Sequence, residues 1–290
     1  MSSATATAFG TGAILLWATL ASLTALRGPI PPFQTTAIVF AIGGTLIVVV
    51  AALRGRLAFL KPTPASLALG VYGFFVYHAL YFAALTLAPP AEASLISSLW
   101  ALLTVLFSGL LPNHRLRLVH VIGALIGFAA AALLVWDKLG AGQRMDTAPL
   151  GFAFAFGCAL VWSSYSVASR LLAAVPSESL AAPCLVTAIL ALICSSLFEQ
   201  WATPPNAISW MALLCLGLGP LGAAFLLWDI GMKKGNVPLL GVLSYAALIL
   251  STGLLILLGL AEPTWQLGVA CIMMILAAVV ATRPPRAQHE

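Results

Sequence analysis

Apolar residues run along this chain in long unbroken stretches, interrupted by a charge, a proline or a polar turn. Runs such as TTAIVFAIGGTLIVVVAAL (Thr35 to Leu53) and LVHVIGALIGFAAAALLVW (Leu118 to Trp136) reach the ~20 apolar residues that a helix rising ~1.5 Å per residue needs to cross ~30 Å of hydrocarbon. Cutting at the interruptions predicts ten spanning helices, at about 5–26, 34–53, 65–87, 91–111, 118–136, 150–172, 180–198, 209–231, 237–260 and 265–282. Little is left over for a water-soluble domain. The first stretch has no basic leader and is longer than a cleavable signal, so it is expected to remain as a helix.

Composition agrees with this pattern. Of 290 residues, 62% are hydrophobic and 7% charged, against roughly a quarter charged in soluble domains. The net charge of +5 would suggest a nucleic-acid partner in a soluble protein, but the basic residues sit at helix ends. With a cytoplasmic N-terminus, ten of the thirteen Lys and Arg fall on the inner side: Arg54, Arg56, Lys61, Arg115, Arg117, Arg170, Lys233, Lys234, Arg283 and Arg286. Arg27, Lys138 and Arg144 fall outside, with Glu92, Asp137, Asp146, Glu199 and Glu262. Trp136, Trp201, Trp210 and Trp265 fit an outer aromatic belt. Both termini are therefore expected in the cytoplasm, and the lipid bilayer, not nucleic acid, is the expected partner. The five cysteines lie inside spans without C-x-x-C spacing, which points to neither a disulfide framework nor a metal site.

The halves of the chain resemble each other. GAILLWAT (Gly12 to Thr19) lies on GCALVWSS (Gly157 to Ser164) at a shift of 145, and YFAALTLAPPAEASLISSLW from Tyr81 lies on WDIGMKKGNVPLLGVLSYAA from Trp228 at a shift of 147. The predicted units are residues 1–140 and 148–284. Five spans are an odd number, so the second unit must enter the membrane from the opposite side. The expected fold is an all-α membrane protein of ten transmembrane helices in two inverted five-helix repeats, an architecture used by secondary transporters with a midplane site.

Ten spans in two copies, a tryptophan in the middle of spans 1 and 6, a very short connection between spans 3 and 4, and glycine-rich spans 5 and 10 resemble the drug/metabolite transporter superfamily and its EamA-type exporters, over nearly the whole chain. Such proteins often carry an Arg near the start of the second helix. PPFQTTAIVF (Pro31 to Phe40) has none, so no role of that Arg carries over. The aromatic residues crowding mid-depth make the chain similar to those members of the superfamily that export aromatic amino acids. The resemblance implies export of aromatic and other neutral amino acids across a bacterial inner membrane. Another small metabolite or drug carried by the same fold is the alternative.

Counting along the spans puts Trp17, Tyr77, His78, Trp100 and Trp162 near mid-depth. In YGFFVYHALYF, the positions Phe74, Tyr77, His78 and Tyr81 share one helix face. Ser97, Trp100, Ala101 and Thr104 line one stripe of span 4. Gly241, Ser244, Tyr245 and Leu248 line one of span 9, with Ser97 matching Ser244 in the repeat. Indole N–H and phenol O–H groups are costly to leave unpaired in hydrocarbon, so rings at this depth are expected to face the bundle interior or a ligand. The predicted substrate-binding set is Trp17, Tyr77, His78, Tyr81, Ser97, Trp100, Trp162, Ser244 and Tyr245, around a cavity suited to a flat solute. Against this stand plain alternatives: tryptophans as packing, serines as close-approach residues, and His78 fastening its helix by an interhelical hydrogen bond. His78 corresponds to Phe225 in the second copy, so the repeat does not itself demand a histidine.

Asp229 lies four residues before Lys233, which predicts an ion pair near the inner surface, with coupling or gating as the other reading. GLGPLG (Gly217 to Gly222) has the spacing of a dinucleotide loop, but no strand precedes it, so it reads as a bend at Pro220. Ser97 or Ser98 with His78 are the only mid-membrane nucleophile–base candidates, and G-x-S-x-G and H-E-x-x-H are absent. No enzymatic activity and no cofactor are expected. Mid-membrane charge is too sparse for a channel lining. Oligomeric state is not legible.

Overall fold

The computed structural model describes residues 1–112, 116–136, 146–260 and 262–282. The expectations for Arg115, Asp137, Lys138, Arg144, Arg283 and Arg286, and for the side chain of Glu92, lie outside the described residues. Among the described residues the chain is helical throughout, without strands. Fifteen α-helices follow one another: α1 (Ser3–Trp17), α2 (Leu20–Leu26), α3 (Pro32–Leu53), α4 (Pro64–Val71), α5 (Tyr77–Leu87), α6 (Pro90–Ser97), α7 (Trp100–Ser108), α8 (Leu118–Val135), α9 (Ala148–Ala168), α10 (Ala181–Phe198), α11 (Ala207–Leu218), α12 (Ala224–Lys234), α13 (Val237–Leu243), α14 (Tyr245–Leu257) and α15 (Trp265–Thr282). Several join end to end, so a helical segment stands at each of the ten apolar stretches. Among the described residues, seven segments are long and apolar enough to cross a membrane: Ser3–Leu26, Pro32–Leu53, Pro64–Leu87, Ala148–Leu172, Ser177–Phe198, Ala207–Lys234 and Val237–Leu257. Three shorter apolar helices, Ala93–Ser108, Leu118–Leu133 and Trp265–Ala281, complete the set.

The interruptions inside segments fall at particular residues. Between α6 and α7 the Ser97 hydroxyl donates to the Ser94 carbonyl (2.9 Å) and the Ser98 hydroxyl to the Leu95 carbonyl (2.7 Å). Between α13 and α14 the Ser244 hydroxyl donates to the Leu240 carbonyl (2.7 Å). Such back-bonding competes with the helix ladder, although Ser163 and Ser164 make bonds of the same kind inside the unbroken α9. Two wide π-type turns occur, Tyr72–Val76 between α4 and α5 and Gly219–Ala223 between α11 and α12. Pro220 explains the second, because it has no N–H to give the ladder. Adding 147 to Tyr72 gives Gly219 and adding it to Ser97 gives Ser244, so both irregularities recur at the offset seen in the sequence. The break between α1 and α2 at Ala18–Thr19 has no counterpart in α9.

Segment packing has the same regularity. The most extensive contacts include α1 with α12, α3 with α10, α5 with α9, α7 with α13 and α8 with α15, together with α7 on α9 and α3 on α11. Exchanging the first five apolar stretches for the last five returns the first five of these pairs to themselves as a set. Two backbones approach closely where α3 crosses the second wide turn. A Cβ on Gly43 would lie 2.8 Å from the Leu221 carbonyl, and one on Gly222 would lie 3.1 Å from the Gly43 Cα.

The N-terminus of α3 begins after prolines that cannot cap it, and Glu199 takes over. Its carboxylate accepts from the backbone N–H of Phe33 (2.7 Å) and Gln34 (2.9 Å), a position where the helix dipole also favours an anion. The buried Gln34 amide exchanges hydrogen bonds with the backbone of Ala202 (2.8 and 3.0 Å). Nearby, Arg27 donates to the Ile30 carbonyl and the Thr35 hydroxyl. Burial pulls its guanidinium below the usual arginine range, and Glu199 opposes that shift.

The eight tryptophans divide into two groups. Trp136, Trp201, Trp210 and Trp265, expected in a belt, are all more than half exposed, at 64%, 57%, 53% and 67%. The other four meet in the interior.

Candidate functional site

Trp17 ends α1, Trp100 begins α7, and Trp162 and Trp228 sit within α9 and α12. Their rings touch one another mostly edge to face. Trp17 lies 5.0 Å from Trp228, 5.6 Å from Trp162 and 6.2 Å from Trp100, and Trp100 lies 5.9 Å from Trp228. Beneath them Phe225 stacks on Phe74 at 4.6 Å and 12°, with Phe40 packed against both. Along α5, Tyr77 and Tyr81 stack in parallel at 6.0 Å, and Tyr77 reaches Trp162 at 5.3 Å.

Thus Trp17, Tyr77, His78, Tyr81, Trp100 and Trp162 lie together in one assembly of ring contacts. The tryptophans fill the space between themselves, and the quadrupoles of their rings favour the edge-to-face contacts they make. What remains open is a face. Trp162, Trp228, Phe225 and Phe74 are buried, whereas Trp17, Tyr77, His78, Tyr81 and Trp100 keep part of their surface accessible. Every residue from Phe75 to Ala83 is partly accessible, which covers all sides of α5. A helix exposed only to lipid would bury its inner side. α5 therefore has accessible surface on its inner, aromatic side as well.

The polar groups of this assembly are tied down by the irregular backbone. The indole N–H of Trp17 donates to the Pro220 carbonyl in the second wide turn (3.0 Å). His78 Nδ1 lies 2.7 Å from the Phe74 carbonyl in the first. A carbonyl only accepts, so Nδ1 carries the proton and Nε2 is left as an acceptor. A wide turn weakens the regular ladder, and in both turns a side-chain N–H bonds a carbonyl. The histidine's bond is within its own segment, not between helices. Its ring meets Phe40 edge to face at 5.1 Å.

Other predicted residues fall elsewhere. Tyr245 is buried against α8: a Cβ on Gly127 would collide with its ring, and Phe128 meets it at 6.4 Å. It belongs to a second core with Ala101, Val105 and Ala124 rather than to the aromatic face. Ser97 and Ser244 are buried and spend their hydroxyls on their own helices. They stand at the breaks in their segments, and Trp100 starts the helix after the first break. Sequence reasoning left out Trp228, which is 1% exposed and donates its indole N–H to the Ser166 hydroxyl (3.0 Å). The signal was present, because Trp228 is the repeat counterpart of Tyr81.

Asp229 and Lys233 form the predicted ion pair on α12, with Oδ2 to Nζ at 2.7 Å and both side chains at most 5% exposed. Ser177 donates to the same carboxylate oxygen (2.5 Å), and Lys233 donates to the Val175 carbonyl (2.8 Å). The carboxylate is thus doubly satisfied within the protein, as a structural ion pair requires. All five cysteines are free thiols, and no cluster of His, Cys, Asp and Glu able to hold a metal occurs among the described residues.

A family profile described as EamA-like transporter family matches residues 5–136 and again 149–283. The chain is 48% identical over 284 residues to a protein of Ancylobacter novellus named aromatic amino acid exporter YddG, covering 97% of this chain and 98% of the relative. A protein of the same name from Salmonella typhimurium is 26% identical, covering 98% and 99%. A crystal structure 47% identical in sequence superimposes with a TM-score of 0.93 over 97% of both chains.

Proposed function

Because the chain belongs to the EamA-like transporter family and is a multi-pass membrane protein, we propose that it exports aromatic and other neutral amino acids by alternating access around the aromatic face. The observation that carries this reading is the partly accessible surface shared by Trp17, Tyr77, His78, Tyr81 and Trp100, drawn from three separate segments to one place. A planar side chain can stack there. His78 Nε2 offers an acceptor to the ammonium group of an amino acid. The names of the relatives favour the same substrate class.

The moving parts follow from the packing. Segments containing α5, α6–α7 and α9 form one group, and those containing α1–α2, α11–α12 and α13–α14 form the other. At one end, Ala84, Ala88, Ala93 and Ala155 hold α5, α6 and α9 together, while α2 packs on α11 and α14. The two groups exchange under a relation between two inverted repeats, residues 1–140 and 148–284: each takes two segments from one repeat and one from the other. The recurrence of the wide turns, the serine breaks and the symmetric pairing supports this division. Following the chain through alternating helices puts Arg54, Arg56, Lys61, Arg117, Arg170, Lys233 and Lys234 at one end and Arg27 at the other, which supports cytoplasmic termini and a bacterial inner membrane.

Purified protein in liposomes should carry phenylalanine, tyrosine and tryptophan, and compete poorly for acidic or basic amino acids. Trp100→Ala should lower aromatic flux about 3- to 10-fold, as loss of ring contacts worth ~0.5–1.5 kcal/mol requires. His78→Gln, which keeps polarity, should retain flux and shift preference among substrates. Absence of amino-acid flux in well-sealed vesicles, or aromatic flux untouched by both substitutions, would sink the proposed site.

A further inference from the structure

At the end opposite Ala84 and Ala88, the two helix groups are joined by polar bonds rather than by rings. Arg170, just past α9, donates from Nη1 to the carbonyls of Met232 (3.1 Å) and Gly235 (2.7 Å) at the end of α12. Lys233 answers from α12, donating to the Val175 carbonyl in the connection after α9. Ser177 in that connection donates to Asp229, and one helical turn deeper Trp228 donates to Ser166. The bonds of Arg170 and Trp228 cross directly from one group to the other, and those of Lys233 and Ser177 run from α12 to the connection that leads from α9 to α10. We propose that Arg170, Ser177, Asp229 and Lys233 form a latch that holds this end closed and must open in each transport cycle; the proposal rests on the exporter reading.

The chemistry suits a contact that is made and broken repeatedly. The last carbonyls of a helix have no partner within it and face the negative end of its dipole, so a guanidinium binds them well. When the end opens, water takes over those carbonyls and the guanidinium alike. The carboxylate raises a harder problem, since separating a buried carboxylate from its cation is costly. Here both members of the pair lie on α12, four residues apart, and move together. Opening breaks the bonds to residues 170–177 and leaves the ion pair intact, so no charge is stranded. Arg56, just past α3, pairs with Glu178 at 2.9 Å with 43% and 16% of their side chains exposed, and this bond does not involve α12.

The test reads accessibility in the full chain, with the native cysteines replaced and one reporter cysteine added. Ser169→Cys reports beneath the latch, because Ser169 is 4% exposed beside Arg170. Ala84→Cys reports at the far end, where Ala84 is 1% exposed. Reaction with a membrane-impermeant maleimide should be slow at both with the latch intact. Combining Arg170→Met with Ser177→Ala should speed labelling of Ser169→Cys about fivefold or more and leave Ala84→Cys unchanged. Arg170→Lys, which keeps the charge but bridges two carbonyls poorly, should fall between. Unchanged labelling beneath the latch overturns the proposal. So does equal acceleration at both reporters, which would mean general loosening. The measurement needs no substrate: labelling that fails while flux persists removes only the latch, and flux that fails while labelling responds removes only the exporter.

Discussion

Replacing Lys233 by Met is expected to destabilise the protein by about 3–5 kcal/mol, read as a fall in thermal or denaturant midpoint of the detergent-solubilised chain. The size of the effect comes from what is left behind. Asp229 is 2% exposed, and without the ammonium 2.7 Å away only the Ser177 hydroxyl faces its charge. Removing both charges together, in Lys233→Met with Asp229→Leu, should restore most of the loss. The favourable Coulomb term of a buried pair is largely offset by the cost of taking two ions out of water. A single variant as stable as the parent, or a double variant worse than the single, would show that the pair is not what holds this end of α12.

A comparable loss, again about 3–5 kcal/mol, is expected for Trp228→Ala, which removes a fully buried ring touching Trp17 and Trp100. Lipid tails are as apolar as the protein interior, so the cost lies in lost contacts and a cavity more than in transfer from water. Trp228→Phe keeps a ring and gives up the indole N–H. Ser166→Ala keeps the ring but leaves that N–H without its acceptor, at about 1–3 kcal/mol. Unfolding midpoints should therefore fall least for Trp228→Phe and most for Trp228→Ala. Equal midpoints for parent and Trp228→Ala would mean that the four tryptophans do not form one packed unit.

Much of this was legible in the sequence because it follows from spacing and hydropathy. The apolar stretches mark the helical segments, the i,i+4 spacing gives the Asp229–Lys233 pair, and four tryptophans at stretch ends point to the exposed belt. Counting depth also brings Trp17, Trp100 and Trp162 together. Counting depth does not give direction, and there the sequence falls short. Tyr245 shares a stripe with Ser244, yet the break at that serine and the gap beside Gly127 turn its ring toward α8. Ser97 and Ser244 share stripes with Trp100 and Tyr245 and match in the repeat, but each hydroxyl is spent on a carbonyl one turn back. Trp228 stands next to Asp229 and close to two lysines, which place it near a span end by hydropathy, although its place in the repeat matches Tyr81.

The two wide turns also bear on the length of the chain. A π-type turn holds one residue more than the α-turn it replaces, so in genetic terms each is an insertion that the membrane segment has absorbed. Every side chain after it is rotated by about 100° from where an unbroken helix would put it. Tyr77, His78 and Tyr81 all follow the turn at Tyr72–Val76, and Phe225, Trp228 and Asp229 all follow the one at Gly219–Ala223. The aromatic face and the ion pair therefore depend on residue count in these turns more than on residue type. Exchanging one apolar residue for another there preserves the phase of everything downstream, whereas deleting a single residue would turn the tyrosines, the histidine and the carboxylate away from their partners at once.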